Sequence, residues 1–358
     1  MSYFAILGKH PKLSLAELSI LKPENINIIN NNIVIFNIAK ESDYMTNILN
    51  NLAGITKWWK IVNLEDMSLS GKTIGTNDDD FGMELKKKYG AKRYKFVEMQ
   101  KSDLEIKKEW IEIIKIKENI YGQVLWYQDI GFFEVVDFGK PSHGMQIGMM
   151  PTKLAMTMIN LWLRDFIPPT PLIKGEAEGR GITIYDPFCG FGTTGFVANH
   201  MWYNFVWSDI NISMIKPNKK RWLEDAKTIN YRKDKYFSVF VQDATKPIDN
   251  PTVKKVDLIV TEWRLWPITW TQTHINEVQR NAKIVWEVYQ NFLQNCDKIY
   301  DNIVLVITYP VYRRSDYEDI IWPKLTNWMR SNWRKSEMVD LYARADHVVA
   351  RQILICKK

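Results

Sequence analysis

The sequence predicts a chain of two parts: an α+β domain over residues 1–140 and a doubly wound α/β domain over 182–358, with a linking helix and loop over 141–181. Three observations lead to this. From Ile182 onward, short apolar runs alternate with helical stretches, the pattern of a mostly parallel sheet. A loop carrying Pro168, Pro169, Pro171, Gly175, Gly179 and Gly181 separates that region from what precedes it. The first part instead mixes isolated strands, hairpins and helices, with no internal repeat.

Within the first part, Tyr3–Leu7 reads as a strand, and Ser14-Leu15-Ala16-Glu17 as a helix opening with a Ser N-cap and a glutamate three residues on. Asn30-Asn31-Asn32 turns between Ile26–Ile29 and Ile33–Phe36, a hairpin signal. Then come a helix near Met83–Tyr89, a strand at Arg93–Met99, a helix at Leu104–Ile114, and strands around Val124–Tyr127 and Phe132–Val136. Pro151–Arg164 reads as a helix with Leu154, Met158 and Leu161 on one face. The second part places strands near Ile182–Tyr185, Phe205–Val206, Phe237–Val241, Val256–Val260 and Ile303–Ile307, with an antiparallel edge pair within Leu341–Lys358.

Composition excludes several classes. No stretch approaches the ~20 apolar residues of a membrane span, and Met1–Gly8 reads as a strand, with neither the basic leader nor the cleavage site of a signal peptide. Three scattered cysteines (Cys189, Cys296, Cys356) and five isolated histidines supply neither a disulfide framework nor a metal-ligand spacing, so a reducing, cytoplasmic setting without metal is expected. Residues 1–150 carry 19 Lys+Arg against 19 Asp+Glu, so the whole net charge of +7 lies beyond them. A basic half suits a polyanionic partner, and a Lys-rich, Asn/Ile-rich composition explains it equally well.

Chemistry concentrates in Asp186-Pro187-Phe188-Cys189-Gly190-Phe191-Gly192-Thr193-Thr194, which follows an apolar strand and opens a helix. Gly190 and Gly192 let the backbone turn sharply where a Cβ would meet a ligand. The helix start beyond them offers unpaired N–H groups to a polar or anionic group. Asp209, 23 residues after Asp186, ends the second strand, where a carboxylate can accept both hydroxyls of a ribose. Asp243, after the third strand, can accept from an adenine amino group, with the Ala244 N–H beside it. Together these describe a nucleoside-bearing ligand at the carboxyl ends of the strands. The fourth strand ends in Thr261-Glu262-Trp263-Arg264, which should hold the acceptor: the Thr261 carbonyl and Glu262 to accept hydrogens of an amine, Trp263 to stack on a base.

The run Gly148–Ala155, then Met158-Ile159-Asn160-Leu161, then Asp186–Thr194 resembles the tRNA guanine-N2 methyltransferases that act on guanosine 10. The opening Tyr3–Gly8 and Leu13–Glu17 is similar to the first element of that family, as are Leu341-Tyr342-Ala343-Arg344 and Arg351-Gln352-Ile353 near the end. The resemblance implies a Rossmann-like class I methyltransferase domain with an N-terminal ferredoxin-like/THUMP-like region for tRNA docking. It implies S-adenosylmethionine as cofactor, with Lys153 and the Asp186 loop contacting it, Asp209 on its ribose and Asp243 on its adenine. The family's acceptor motif Asp-Pro-Pro-Tyr is replaced here by Thr261-Glu262-Trp263-Arg264. Two alternatives stand beside tRNA methylation: amino-methylation of a DNA base, which shares the Asp-Pro-Phe-Cys-Gly loop, and a catalytically impaired protein that binds cofactor and RNA.

Fifteen tryptophans stand against 17 glycines, a high share. Trp202, Trp207, Trp266, Trp126 and Trp59 fall where such a fold takes glycine. The expectation is that UGA codons of a lineage reading UGA as glycine underlie them; the alternative is a tryptophan-rich core or RNA-stacking surface.

Overall fold

In a computed structural model of the chain the described residues are 1–30, 32–39, 48–98, 110–138, 150–164, 181–216, 237–262, 272–333, 335–343 and 348–358. They form two units, one covering Met1–Asp129 and the other the residues from Ile130 onward.

The first unit is built on an eight-stranded sheet. Its strands are β1 (Ser2–Leu7), β2 (Asn25–Asn30), β3 (Ile33–Asn37), β4 (Ile55–Val62), β5 (Thr73–Thr76), β6 (Arg93–Phe96), β7 (Ile111–Lys117) and β8 (Ile120–Tyr127), in the order β2-β3-β1-β4-β8-β7-β5-β6. The β2–β3 hairpin is the one its asparagine turn predicts. Helix α1 (Pro11–Leu18) starts three residues before the expected Ser N-cap, because Pro11 presets the first helical φ. Ser14 therefore lies inside the helix, its hydroxyl donating to the His10 carbonyl at 3.1 Å. Glu17, fully buried, accepts the Ala53 and Gly54 N–H groups at 3.1 and 2.6 Å, so it ties α1 to the start of β4 instead of closing a capping box.

Helix α2 (Asp79–Tyr89) begins earlier than the expected Met83, because Asp78 caps it by accepting the Phe81 N–H at 2.8 Å, and Gly90 closes the end at φ 72°. Two expectations change here. The segment read as a helix at Leu104–Ile114 contains strand β7 from Ile111, with Ile113 and Ile114 both buried, and residues 101–109 lie outside the described ones. Arg93–Met99 shortens to β6. In the core of this unit Trp59 stacks on Phe4 with centroids 5.6 Å apart, and a Cβ on Gly122 of β8 would fall 1.9 Å from the indole. Beside it the buried Lys57 ammonium pairs with Glu112 at 3.0 Å, and the Tyr127 hydroxyl donates to the same carboxylate.

The second unit opens with α3 (Ile130–Phe138), where a strand at Phe132–Val136 was expected. Phe132, Phe133 and Val136 share a helical face and are buried, a spacing that a run of aromatic and β-branched residues disguises as strand. The boundary therefore falls at Asp129/Ile130, earlier than residue 140. The helix expected to act as a linker, α4 (Thr152–Leu163), is a core element in which Leu154–Leu163 are all buried.

The remaining strands are β9 (Thr183–Asp186), β10 (Asn204–Asp209), β11 (Phe237–Val241), β12 (Leu258–Glu262), β13 (Val304–Tyr312), β14 (Lys335–Tyr342) and β15 (Val349–Lys357), in the order β11-β10-β9-β12-β13-β15-β14. The pairs from β11 to β13 are parallel, and β15 runs antiparallel between β13 and β14. The order reverses at β9, which neighbours both β10 and β12, and ligands bind at that switch point in such sheets. Helix α5 (Thr193–His200) follows β9, α6 (Ile275–Ile299) lies between β12 and β13, and α7 (Ile321–Asn332) precedes β14. In α6, Val278, Ala282, Val285, Tyr289, Phe292 and Cys296 recur at helical spacing and pack with Ile259, Leu305 and Leu354 of the sheet. This is the Rossmann-like α/β fold expected.

The tryptophan positions separate. Helix α5 ends in a Schellman arrangement: Trp202 N–H donates to the Asn199 carbonyl and Tyr203 N–H to the Ala198 carbonyl, with Trp202 at φ 68°. That left-handed slot is the one glycine fills, and a Cβ there costs about 1–2 kcal/mol. Trp59, Trp126 and Trp207 lie in strands without left-handed backbone, and Trp266 is outside the described residues. Trp202→Gly is expected to raise stability by about 1 kcal/mol, read as a higher denaturation midpoint. A lower midpoint would show that the half-buried indole contributes more than its backbone costs.

Candidate active site

The loop between β9 and α5 is held from three sides. Asp186, the last residue of β9, accepts the Phe188 N–H at 3.1 Å and the Thr261 hydroxyl at 2.7 Å through Oδ1, and the Thr194 hydroxyl at 2.6 Å through Oδ2. Cys189 N–H donates to the Ser208 carbonyl, and Gly190 N–H to Asp209 Oδ2 at 3.0 Å. Gly190 and Gly192 take φ 47° and 76°, so both need the freedom glycine supplies. A Cβ on Gly190 would meet no protein atom within 4 Å, so the backbone there faces open space.

That space is a cavity of about 490 Å³ at the carboxyl ends of β9, β10, β11 and β12. Of the residues expected at the site, Asp186, Phe188, Gly190, Thr193, Thr194, Asp209, Asp243, Ala244 and Glu262 line it. Pro187, Gly192 and Thr261 shape the site without lining it: Pro187 and Thr261 are buried, and Gly192 caps α5. Lys153 is not on the cavity wall; its ammonium lies 5.1 Å from the Phe133 ring centroid. Trp263 lies outside the described residues.

The carboxylates are aimed by backbone. Asp209 Oδ1 accepts the Asn211 N–H at 2.9 Å while Oδ2 takes that of Gly190, leaving further acceptor positions on both oxygens. Asp243 Oδ1 accepts the Thr245 N–H and hydroxyl at 2.9 and 2.6 Å. Asn295 of α6 pins the same loop by donating to the Ala244 and Lys246 carbonyls at 2.9 and 2.8 Å. Apolar surface closes the rest: Ile210, directly after Asp209 and 66% exposed, stands with Ile284, Val285 and Val288 of α6. Asn295 and the α6 wall escape sequence reading, since periodicity shows that α6 is amphipathic and not which ligand its edge meets. Ile210 carries a signal, an apolar residue adjoining a strand-end carboxylate.

Glu262 ends β12 as expected, but it has a partner that the sequence does not announce. Arg351 of β15 donates from Nε to Glu262 Oε1, and both side chains are almost fully buried. Among the described residues no His/Cys/Asp/Glu group is suited to a metal, and no helix is long and apolar enough to cross a membrane.

Burial pushes the Asp186 carboxyl up to about 6, with Asp209 adding to the rise and the Thr194, Thr261 and Phe188 donors opposing it. The folded chain therefore binds this proton more tightly than the unfolded one. The contribution to stability is full below about pH 4 and is lost as pH rises through 6, by about 3 kcal/mol in all. In Asp186→Asn, melting temperature between pH 4 and 7 should vary less steeply than in the wild type. Parallel profiles would mean that Asp186 titrates normally.

No protein-family model matches the chain, and no curated protein matches it. Solved structures show low similarity. A possible methylase from Clostridium difficile 630 is 12% identical over 98% of this chain and 97% of that chain, with a TM-score of 0.43. A human methyltransferase 10 domain containing protein is 12% identical over 63% of this chain and 92% of that chain, at 0.39. A magnesium protoporphyrin IX methyltransferase from Synechocystis PCC 6803, with bound SAM, is 11% identical over 50% and 70%, at 0.33. Scores this low do not bear on function; the fold is set by the chain's own strand order, and the chemistry by the residues around its cavity.

Proposed function

We propose that the cavity binds S-adenosylmethionine and that the chain methylates an exocyclic amine of RNA, N2 of a tRNA guanine, in the cytoplasm. The observation that carries the reading is the joint placement of the glycine loop, Asp209 and Asp243 around one cavity at the switch point of the sheet. Glycine backbone at 190 leaves room for the methionyl end beside the start of α5. Asp209 takes the ribose hydroxyls, Asp243 and the Ala244 N–H the adenine edge, and Ile210 with the α6 residues its flat faces.

Bound there, S-adenosylmethionine would supply a methyl group on a sulfonium, leaving as the thioether, with one proton of the amine released to solvent. Glu262 accepts a hydrogen of the amine and so turns its lone pair toward the methyl carbon. The four carboxylates of the cavity, Asp186, Asp209, Asp243 and Glu262, suit a cationic ligand.

The first unit is read as the RNA-docking, ferredoxin-like/THUMP-like part. Its support is a basic and aromatic surface: Arg93 and Lys95 each lie 5.5 Å from the Trp110 ring centroid, and Phe96 is 52% exposed. Rings flanked by cations are what unpaired nucleotides stack on.

Radiolabelled methyl transfer to bulk tRNA and to duplex DNA, followed by nucleoside analysis, tests the reading. Label recovered as N2-methylguanosine from tRNA is expected. Label in a DNA base would move the substrate class to DNA. Cofactor binding without transfer to either would leave a binding protein.

A further inference from the structure

We infer that Arg351 is a positioning residue that keeps Glu262 ionised, so that the acceptor site presents a hydrogen-bond acceptor to the incoming nucleophile. The inference rests on the proposed methyltransferase reading and deepens it by fixing the chemistry of the nucleophile as an N–H donor.

The geometry starts from the sheet. Glu262 pairs across the ladder with Thr308 of β13, and Thr308 pairs in turn with Ile353 of β15. Arg351 stands two residues before Ile353, on the same face, so its side chain reaches over β13 to the carboxylate. Glu262 is 8% exposed and lines the cavity, whereas Arg351 is 6% exposed and does not. Arg351 therefore acts through Glu262 and not on the ligand. Among the described residues, no lysine, arginine or histidine lines the cavity.

A carboxyl in such a place is pulled two ways. Burial favours the protonated acid. A guanidinium in direct hydrogen-bond contact favours the ionised form. Among the described residues, Tyr289 of α6 is also close by, its hydroxyl donating to the Thr308 carbonyl; burial first, and the charge of Glu262 second, hold it protonated well above the usual tyrosine range. The difference between the two forms of Glu262 is the sense of its hydrogen bond. Ionised, it is acceptor-only and takes an amine hydrogen, leaving the nitrogen lone pair for the methyl carbon. Protonated, it is a donor and would engage that lone pair.

The test uses the full chain as wild type, Arg351→Lys and Arg351→Met. Three readouts are taken: S-adenosylmethionine affinity by calorimetry, the pH profile of methyl transfer to bulk tRNA, and the carboxyl resonance of Glu262 by carbon NMR across pH. In the wild type the Glu262 resonance is expected to be that of a carboxylate at neutral pH. In Arg351→Met it should titrate at least about one unit higher, and the acid limb of the rate profile should move with it. Cofactor affinity should stay within about threefold, so that the loss falls on turnover. Arg351→Lys should recover most of the profile. A Glu262 resonance already protonated at neutral pH in the wild type would overturn the inference. So would an unmoved acid limb in a well-folded Arg351→Met. If Arg351→Met does not fold, the wild-type and Arg351→Lys titrations decide. If S-adenosylmethionine fails to bind the wild type, the methyltransferase reading falls, and the NMR titration still decides whether Arg351 sets the charge of Glu262.

Discussion

On the proposed reading, Asp209→Ala is expected to weaken S-adenosylmethionine binding tenfold or more, while a change on a distant surface should leave it unaltered. Asp209 spends one acceptor position on each oxygen holding Gly190 and Asn211, and the remaining ones face the cavity. Its loss removes a carboxylate–hydroxyl hydrogen-bond pair, about 1.5–3 kcal/mol, and frees the Gly190 N–H that shapes the loop. Asp209→Asn keeps one acceptor oxygen and should fall between wild type and alanine. Titration calorimetry giving equal affinities for wild type and Asp209→Ala would place the ribose elsewhere.

Gly195→Ala should be among the most damaging single changes in the second unit, and Trp207→Gly should reverse it. A Cβ on Gly195 would lie 2.0 Å from Trp207 Cε2 and Cζ2, and the indole is fully buried between Phe196 and Phe205. A rigid ring in a packed core cannot yield, and overpacking of this kind costs about 1–3 kcal/mol. The same ring stands 2.9 Å from the Cβ position of Gly192, the cap of α5, so it also packs against the turn that enters the helix. With glycine at 207 the space opens, and alanine in the first turn of α5 then becomes favourable over glycine, by at most about 1 kcal/mol. The double-mutant cycle should show an interaction energy of about 2–3 kcal/mol in denaturant unfolding. Additive effects would mean that the indole does not sit against α5.

The second unit was largely legible because its chemistry lies in contiguous signals. A strand, a glycine pair, a helix start and two strand-end aspartates each occupy fixed offsets, and the doubly wound sheet brings them to one edge. The pairing of Glu262 with Arg351 was not legible, since 89 residues separate them and only the insertion of β15 between β13 and β14 makes them neighbours. Lys153, which the resemblance implies for the cofactor, has its ammonium over Phe133 of α3, a helix that the sequence disguised as a strand. In the first unit, Ser14 and Glu17 match a capping box by spacing alone. Pro11 starts the helix earlier and leaves Glu17 to bind a distant turn. Trp202 could be singled out by sequence, but its left-handed backbone is visible only in the Schellman turn.

A crystal structure of the chain with S-adenosylhomocysteine tests most directly whether the cavity is the cofactor site. The expected density runs from the Gly190 turn across Asp209 to Asp243, with ribose hydroxyls on Asp209 and the adenine between Ile210 and the α6 wall. Density in another place, or a chain that stays empty at saturating ligand, would contradict it.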